Sequence, residues 1–456
     1  MILTGKTFLV LGSGKTGRSV AAFFDRMGVD YRLIDENAVQ IFPPPADRKN
    51  RKTLDFEGCY CAVTSPHYTN KWVLYEVERH RIPVISDVEL FSRLSRSPIL
   101  AVTGTNGKST TVSLLADMLA RRGEKTRKEG AEGEKRTAQG DFPENGTEGR
   151  AKTLLLGNIG VPCLDYIEET SPEVPAVLEL SSFQLERTEL FCPHVAAILN
   201  LTPDHLDFHK TYEAYKSAKY RIFKNQGKTE YLVLNADETL PAPENTNILY
   251  FSTERVVDGA YLRDGALCFR GERVAEASEL KLEGKHNLSN ALCALAMAKC
   301  YGLDNESIAE SLREFGGIEH RLERVGELGG KLWINDSKAT NIASCAVAVN
   351  TFEGKGKICL IAGGRSVENF DSFVLQAARK CARVIAFGES AARIEESCKK
   401  FGYTEITLAD SLRDAVRAAA EGNCEIVLFS PACKSFDGYA NFEERGADFK
   451  TAVASL

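Results

Sequence analysis

The sequence predicts an α/β protein built as three successive units, and three observations carry that expectation. Apolar runs of about five residues, each stopping at glycine or a polar residue, recur along the chain with helix-length segments between them. Two of these runs lead directly into glycine-rich loops, "VLGSGKTGRS" at residues 10–19 and "AVTGTNGKSTT" at 101–111. The length, 456 residues, exceeds what one hydrophobic core serves, so several domains are expected.

Taken in order, "KTFLVLG", "YRLID", "CAVTS" and "PVIS" are spaced as the strands of a first unit ending near Ser97. Pro98 opens a second unit with "ILAVTG", the second glycine loop and the helical "STTVSLLADMLARRG". Its later strands, "PAVLELSS", "VAAILNL" and "YLVLNAD", end in polar or acidic residues, where parallel sheets place their sites. "GAYLRDGALCFRGERVAEASELKL" instead alternates and carries an Asp-Gly turn, which predicts an antiparallel hairpin in the same domain. A third unit begins near Ile318 and contains "KLWINDS", "KICLIAGG", "RVIAFG" and "EIVLFSPA". The strand-helix-strand order implies right-handed parallel units, with boundaries at 1–97, 98–317 and 318–456. Residues 124–152 are dense in charge and glycine and almost free of large apolar residues, so a disordered insertion is expected there.

Composition narrows the partners. A net charge of −6 leaves no basic footprint for nucleic acid. No apolar stretch approaches the roughly 18 residues of a membrane helix, and the N-terminus lacks the basic region of a signal peptide. Thirteen cysteines, mostly within apolar stretches, suggest buried free thiols in a reducing compartment. Cys59 and Cys61 have no matching pair that would complete a zinc site. A cytoplasmic monomer is the expectation.

The two loops differ in what they can hold. Gly12, Gly14 and Gly17 fit G-x-G-x-x-G between a strand and a helix, with Asp35 at the end of the next strand in the place of a ribose-binding acid. That pattern suits an NAD or FAD oxidoreductase, while Lys15 adds a cation that suits another phosphate-bearing ligand equally well. In Gly104-Thr105-Asn106-Gly107-Lys108-Ser109-Thr110 the backbone N–H groups and the helix N-terminus converge on anionic oxygens. Lys108 is placed to bridge outer phosphates and Ser109 to ligate Mg²⁺. The first glycine stands three residues before Gly107, not the five of the usual P-loop. Glu179 ends the strand "PAVLELSS", where a carboxylate can hold the same metal. "NLTPDHLDFH" sets Asp204, His205, Asp207 and His209 after another strand; alone it reads as a capped loop, and beside Lys108 and Glu179 as part of a site.

"GTNGKST", "ELSSFQLE", "TPDHLDFH", "YKSAKYRIF", "GKHNLSNALCALA" and "EHRLE" together resemble the Mur ligase superfamily of ATP-dependent amide ligases. "LLLGNIGVP", "WINDSKATN" and "FSPACKSFDGYANFEERG" are similar to its D-glutamate-adding branch. The resemblance implies three α/β domains: a Rossmann-like N-terminal domain, a central P-loop ATPase-like domain and a C-terminal Rossmann-like domain. It also implies that the central loop binds ATP while the N-terminal loop, through Ser13, Gly14, Lys15 and Thr16, receives the UDP part of UDP-N-acetylmuramoyl-L-alanine. The implied reaction passes the ATP γ-phosphoryl group to the alanyl carboxylate, and the acyl phosphate is attacked by the amine of D-glutamate.

Residue by residue, the resemblance gives Lys108 to the phosphates, one Mg²⁺ to Ser109 and Glu179, and a second Mg²⁺ to His205 together with Lys219 carbamylated by CO₂. By itself Lys219 reads as a solvated helix lysine. Asn158 is implied at the UDP-sugar and Asp35 at the uracil. Asn287 and Asn290 are implied at the adenine, and Arg321 and Asp336 at the ATP phosphates and ribose. Lys338, Thr340, Ser435 and the backbone at Phe442 are implied around D-glutamate, with hinges near Ser97 and Gly317. Two departures stand out. The family's usual cation after the "GG" of a third-domain strand is replaced by Val367, so that either Arg365, the nearest cation, takes over the salt bridge to the D-glutamate side chain or acceptor recognition differs, and His67 replaces a glycine. A related Mur ligase adding another amino acid therefore stays open, as does a non-catalytic descendant.

Overall fold

The computed structural model describes residues 3, 5–35, 56–66, 68, 70–122, 151–159, 161–282 and 284–456. His67 and residues 124–150 of the expected insertion lie outside them. The chain divides into two compact units, Met1–Phe315 and Gly316–Leu456, each described by itself.

The first unit holds two sheets. β1 (Thr7–Leu11), β2 (Tyr31–Ile34), β3 (Cys59–Thr64) and β4 (Val84–Ser86) form a parallel sheet in the order β2-β1-β3-β4. The second comprises β5 (Ile99–Thr103), β6 (Leu154–Gly157), β7 (Ala176–Glu179), β8 (Val195–Ile198), β9 (Tyr231–Asn235), β10 (Asn247–Ser252), β11 (Gly259–Arg263), β12 (Ala266–Phe269) and β13 (Glu272–Glu276). Its order is β13-β12-β11-β10-β9-β8-β5-β7-β6. Every pairing from β6 to β11 is parallel.

Helices cover both faces of a parallel sheet, which is why β5, β7 and β8 are buried at every position and read as continuous apolar runs. The hairpin β11–β12 turns at Asp264 and Gly265, both at positive φ (49° and 76°), as a two-residue turn matched to strand twist requires.

β5 lies between β8 and β7, so the chain leaves it toward opposite sides of the sheet. A crevice opens outside the carboxyl ends at such a switch point. The loop after β5, the end of β7 and the segment after β8 meet there. The helices Lys108–Arg121 and Lys285–Cys300 share one apolar cluster, which includes Val102, Leu115 and Leu295.

The boundary near residue 97 separates two sheets without separating two cores. One apolar cluster runs from Phe8 and Phe24 through Leu90 and Phe91 to Leu178 and Phe191. Glu89, fully buried, accepts hydrogen bonds from the backbone N–H groups of Glu189 (2.9 Å), Leu190 (2.9 Å) and Phe191 (3.0 Å), and pairs with Arg93 at 2.6 Å. Three amides and a guanidinium satisfy a carboxylate that would otherwise be costly to bury.

The second unit is a single sheet in the order β14-β15-β19-β16-β17-β18. Its strands are β14 (Glu323–Leu328), β15 (Lys331–Asn335), β16 (Ile358–Gly363), β17 (Arg383–Phe387), β18 (Ile406–Leu408) and β19 (Ile426–Phe429). Only β14 runs antiparallel, returning to β15 through Gly329-Gly330. All thirteen cysteines are free thiols. Among the described residues no helix is long and apolar enough to cross a membrane.

Candidate active site

The loop after β5 owes its shape to two glycines. Gly104 has φ 155° and a Cβ there would lie 3.0 Å from Leu199 Cβ; Gly107 has φ 84° and a Cβ there would lie 2.2 Å from Asn290 Oδ1. Any other residue at Gly107 meets both a left-handed backbone and Asn290. The loop is also clasped from the segment after β8. Thr105 N–H donates to Asn200 O at 2.9 Å. Asn106 N–H donates to Asn200 Oδ1 at 2.8 Å, and Asn200 Nδ2 returns a bond to Asn106 O at 3.0 Å. Asn200 stands inside the quoted "NLTPDH", but nothing in its spacing marks it as the clasp.

Lys108 opens the helix and folds back, donating from Nζ to Gly104 O (3.0 Å) and Thr105 O (2.8 Å). It thus lies over the loop's own carbonyls at the helix N-terminus, where phosphate oxygens can replace those acceptors. Ser109 is buried in the first turn and Thr110 is half-buried beside it.

Around this loop the structure gathers several expected residues. Glu179 is 2% exposed at the end of β7; Oε1 accepts from Asn158 Nδ2 at 2.7 Å, and Oε2 is buried without a hydrogen-bond partner among the described residues. A buried carboxylate oxygen left bare is costly. A divalent cation would supply the missing partner, and the Ser109 hydroxyl is a second hard oxygen donor at the start of the neighbouring helix, so the residues present fit Mg²⁺.

Lys219 is 2% exposed. Its Nζ donates to Gly104 O at 2.8 Å and Thr103 Oγ1 at 3.2 Å, and lies 4.9 Å from the Tyr215 ring centroid. Burial first, then the Lys108 cation, holds its pKa well below the lysine range, against the pull of Asp204 and Glu179. The solvated helix lysine read from sequence alone is therefore corrected: the helix Tyr212–Tyr220 turns this side chain inward.

His205 is exposed, with φ 52° and its ring 5.0 Å from Phe183 in an edge contact. Its Nε2 lies 3.5 Å from Asp204 Oδ2. His209 is turned away into the protein, with Nε2 2.9 Å from Ser182 Oγ. Asn290, expected at the adenine, is buried beneath Gly107 and donates to Asn287 Oδ1 at 3.2 Å.

The first glycine loop is organised by packing. A Cβ on Gly17 would lie 1.8 Å from Gly12 O, so the helix Lys15–Met27 approaches β1 only through glycine. Gly14 caps that helix in open space, followed by Lys15 and Thr16. Ser13 Oγ donates to Asp35 Oδ2, bringing two expected substrate residues together.

In the second unit, Asp336 follows β15 and is 5% exposed; Oδ2 accepts from Ser430 Oγ at 2.7 Å and Oδ1 from Leu322 N–H at 3.2 Å. Burial pushes its pKa up to about 7 despite those bonds and Arg321. Arg321 Nη1 is buried without a hydrogen-bond partner among the described residues. Lys338 Nζ lies 5.5 Å from the Phe442 ring centroid, Thr340 N–H donates to Lys338 O at 2.9 Å, and Ser435 is buried at 2% exposure. The carbonyl of Phe442 accepts from Ser337 Oγ at 2.8 Å.

Sequence reasoning passed over Arg445. Fully buried and, among the described residues, without a carboxylate ion-pair partner, it donates to Ser337 Oγ (3.0 Å), Ser337 O (2.7 Å) and Cys433 O (3.0 Å). Burial lowers its pKa to about 10. It ties the loop carrying Lys338 to the loop carrying Ser435. Arg365 is engaged by Glu389 through two bonds of 2.9 and 2.7 Å.

Comparison with known proteins fits this arrangement. Residues 102–298 match the Mur ligase middle domain. The chain is 37% identical over 472 residues to the UDP-N-acetylmuramoylalanine--D-glutamate ligase of Streptococcus mutans, spanning 99% of this chain and 97% of that relative. It is 35% identical over 481 residues to the enzyme of the same name from Thermoanaerobacter pseudethanolicus, spanning all of both. Among solved structures, the UDP-N-acetylmuramate-alanine ligase MurC of Thermotoga maritima is similar with a TM-score of 0.57 at 19% identity, over 99% of each chain. The MurF ligase of the same organism, in complex with ADP, gives 0.54 at 16% identity over 99% of this chain and 95% of that one. These two structures share the fold.

Proposed function

We propose that this chain, which belongs to the Mur ligase family, uses ATP to join D-glutamate to UDP-N-acetylmuramoyl-L-alanine in peptidoglycan precursor synthesis. One observation carries the chemistry. Lys108, Ser109, the unpartnered Glu179 oxygen and the buried Lys219 amine are set around one loop at the switch point of a parallel sheet. The resemblance of the whole chain to D-glutamate ligases supports the acceptor.

In this reading Lys108 exchanges its two carbonyl acceptors for oxygens of the β- and γ-phosphates, aided by the helix N-terminus. Ser109 and Glu179 would hold one Mg²⁺, and His205 with a carbamate on Lys219 would hold a second. The metals supply positive charge against which phosphate and carboxylate anions can be brought together. In its unprotonated form the buried Lys219 amine can attack CO₂, forming an N–C bond as one C=O π bond opens and releasing one proton, and so becomes an anion near Lys108. No protein nucleophile is needed: the alanyl carboxylate takes the phosphoryl group and the amine of D-glutamate displaces phosphate.

Asn158, Asp35 and the loop Ser13 to Thr16 are assigned to the UDP-sugar. Asn287, Asn290, Arg321 and Asp336 are assigned to ATP, Asn290 by supporting the loop at Gly107. Lys338, Thr340, Ser435 and Phe442 are assigned to D-glutamate. The enzyme is taken to act as a cytoplasmic monomer of three domains, 1–97, 98–317 and 318–456.

The exposed Val367, 97% accessible where a cation was expected, favours a second reading in which a different amino acid is the acceptor. Phosphate release with ATP, Mg²⁺ and UDP-N-acetylmuramoyl-L-alanine, across a panel of amino acids, decides. Release confined to D-glutamate is expected; release confined to another amino acid moves the acceptor, and no release with any acceptor removes the ligase reading.

A further inference from the structure

The acceptor under the proposed function carries two carboxylates, and the side-chain carboxylate needs a cation wherever it is taken out of water. The cations near the expected acceptor residues are mostly committed. Arg445 is buried and spends its donors on Ser337 and Cys433. Arg365 is held bidentately by Glu389, whose own N–H donates to Asp437 Oδ2 at 3.1 Å. Lys450 bridges Glu319 and Glu323.

Lys434 is different. It is exposed, it directly precedes Ser435, and among the described residues its ammonium has no ion-pair or hydrogen-bond partner. Its backbone is nonetheless fixed. Arg365 N–H donates to Lys434 O at 2.8 Å and Lys434 N–H to Arg365 O at 2.9 Å, an isolated antiparallel bridge. The approach depends on Gly364, at φ 130°, where a Cβ would lie 2.4 Å from Lys434 O. Residues paired directly across an antiparallel bridge project to the same face with Cβ atoms about 5 Å apart. Arg365 and Lys434 therefore stand side by side, one neutralised and one not. Arg445 also holds Cys433, the residue before Lys434, to Ser337, the residue before Lys338. The backbone that carries Lys434 is thereby tied to the loop that carries Lys338.

We infer that Lys434 binds the side-chain carboxylate of the acceptor amino acid and sets the preference for D-glutamate, in the place left without a cation at Val367. The inference rests on the D-glutamate reading. Glu389 keeps Arg365 from competing for the same anion.

The test compares Lys434→Met, Lys434→Arg and Arg365→Met in the full-length enzyme, following phosphate release at varied D-glutamate and varied D-norvaline, which keeps the chain but lacks the side-chain carboxylate. Lys434→Met is expected to raise KM for D-glutamate about 30-fold with kcat and the KM for ATP little changed, as loss of a charge-assisted hydrogen bond predicts. The preference for D-glutamate over D-norvaline should fall by the same factor, and Lys434→Arg should restore most of it. Arg365→Met should change KM less than about three-fold, the scale of an exposed ion pair. A KM for D-glutamate within two-fold of wild type in Lys434→Met overturns the inference, as does an equal or larger loss in Arg365→Met. Absence of D-glutamate-dependent release by the unmodified protein is a separate result, and it removes the D-glutamate reading itself.

Discussion

The loops at 12–17 and 104–110 use the same residues for the same mechanical task. Each follows a buried parallel strand, opens a helix, and relies on a glycine where a Cβ would strike its neighbour, Gly17 against Gly12 O and Gly107 against Asn290. What surrounds them differs. The first meets a carboxylate, Asp35, already accepting from Ser13, which suits hydroxyl and N–H donors of a sugar or base. The second meets two lysines and a carboxylate oxygen with no hydrogen-bond partner among the described residues, which suits a group that gains and moves charge. Glycines make room for a phosphate, while neighbouring charge decides whether it is held or transferred.

The sharpest way to break this comparison is to remove the lysine of each loop. Lys108→Met should lower kcat by about 10³-fold, the scale of a lost contact to a transferring oxyanion. Lys15→Met should leave kcat near wild type and raise only the KM for the UDP-sugar. Steady-state phosphate release with each substrate varied in turn measures both. Equal losses from the two substitutions would mean that both loops serve the reacting nucleotide.

Glu179→Gln comes next. The amide keeps the shape and the bond to Asn158 but cannot offer the same anionic oxygen to a cation, so kcat should fall by about 10²-fold. The Mg²⁺ concentration needed for half-maximal rate should rise. An unchanged Mg²⁺ requirement would assign Glu179 to holding Asn158 alone.

How much of this was legible in the sequence depended on where the deciding force was local. β1, β5, β7, β16 and β19 are continuous apolar runs because both faces are buried, and their periodicity announces them. β18 has three residues and none of them is buried; β14 likewise has none buried, so neither carries a hydrophobic signal. Ser109 and Glu179 were legible because a loop after one strand and the end of another converge in any parallel sheet. The burial of Lys219 was not, because the oxygens that receive its amine belong to Thr103 and Gly104, distant in sequence and brought to its helix only by the fold. Glu89 and Arg445 carried no signal in the sequence, because the three amides that meet one and the three neutral oxygens that meet the other come from segments distant along the chain.

Lys219 also sharpens the comparison through stability. Its pKa in the folded protein is lowered by burial and by Lys108, so between that lowered value and the ordinary lysine value the unfolded chain binds more protons at this position than the folded one. Stability should therefore rise with pH from this group, by at most about 1.4 kcal/mol per pH unit, until pH passes the ordinary lysine value of about 10.4. In metal-free, CO₂-depleted buffer, Lys219→Met should flatten that slope and raise the denaturation midpoint near pH 7 while abolishing ligase activity. Urea unfolding at several pH values reads this directly, and a slope unchanged by Lys219→Met would mean that the amine stays protonated when buried.

The smallest effect belongs to the first loop. Ser13→Ala removes the hydroxyl that donates to Asp35 but leaves the glycines, the helix cap and Lys15 in place. One hydrogen bond to a partly buried carboxylate is worth about 1 kcal/mol net, so the KM for the UDP-sugar should rise about five-fold while kcat and the KM for ATP stay put. The direction follows from the role given to Asp35: without Ser13 the carboxylate loses orientation, and a ligand donor must supply it on binding. If Ser13→Ala instead lowers the KM for the UDP-sugar, the hydroxyl competes with the ligand for Asp35, and the loop is held shut until substrate displaces it.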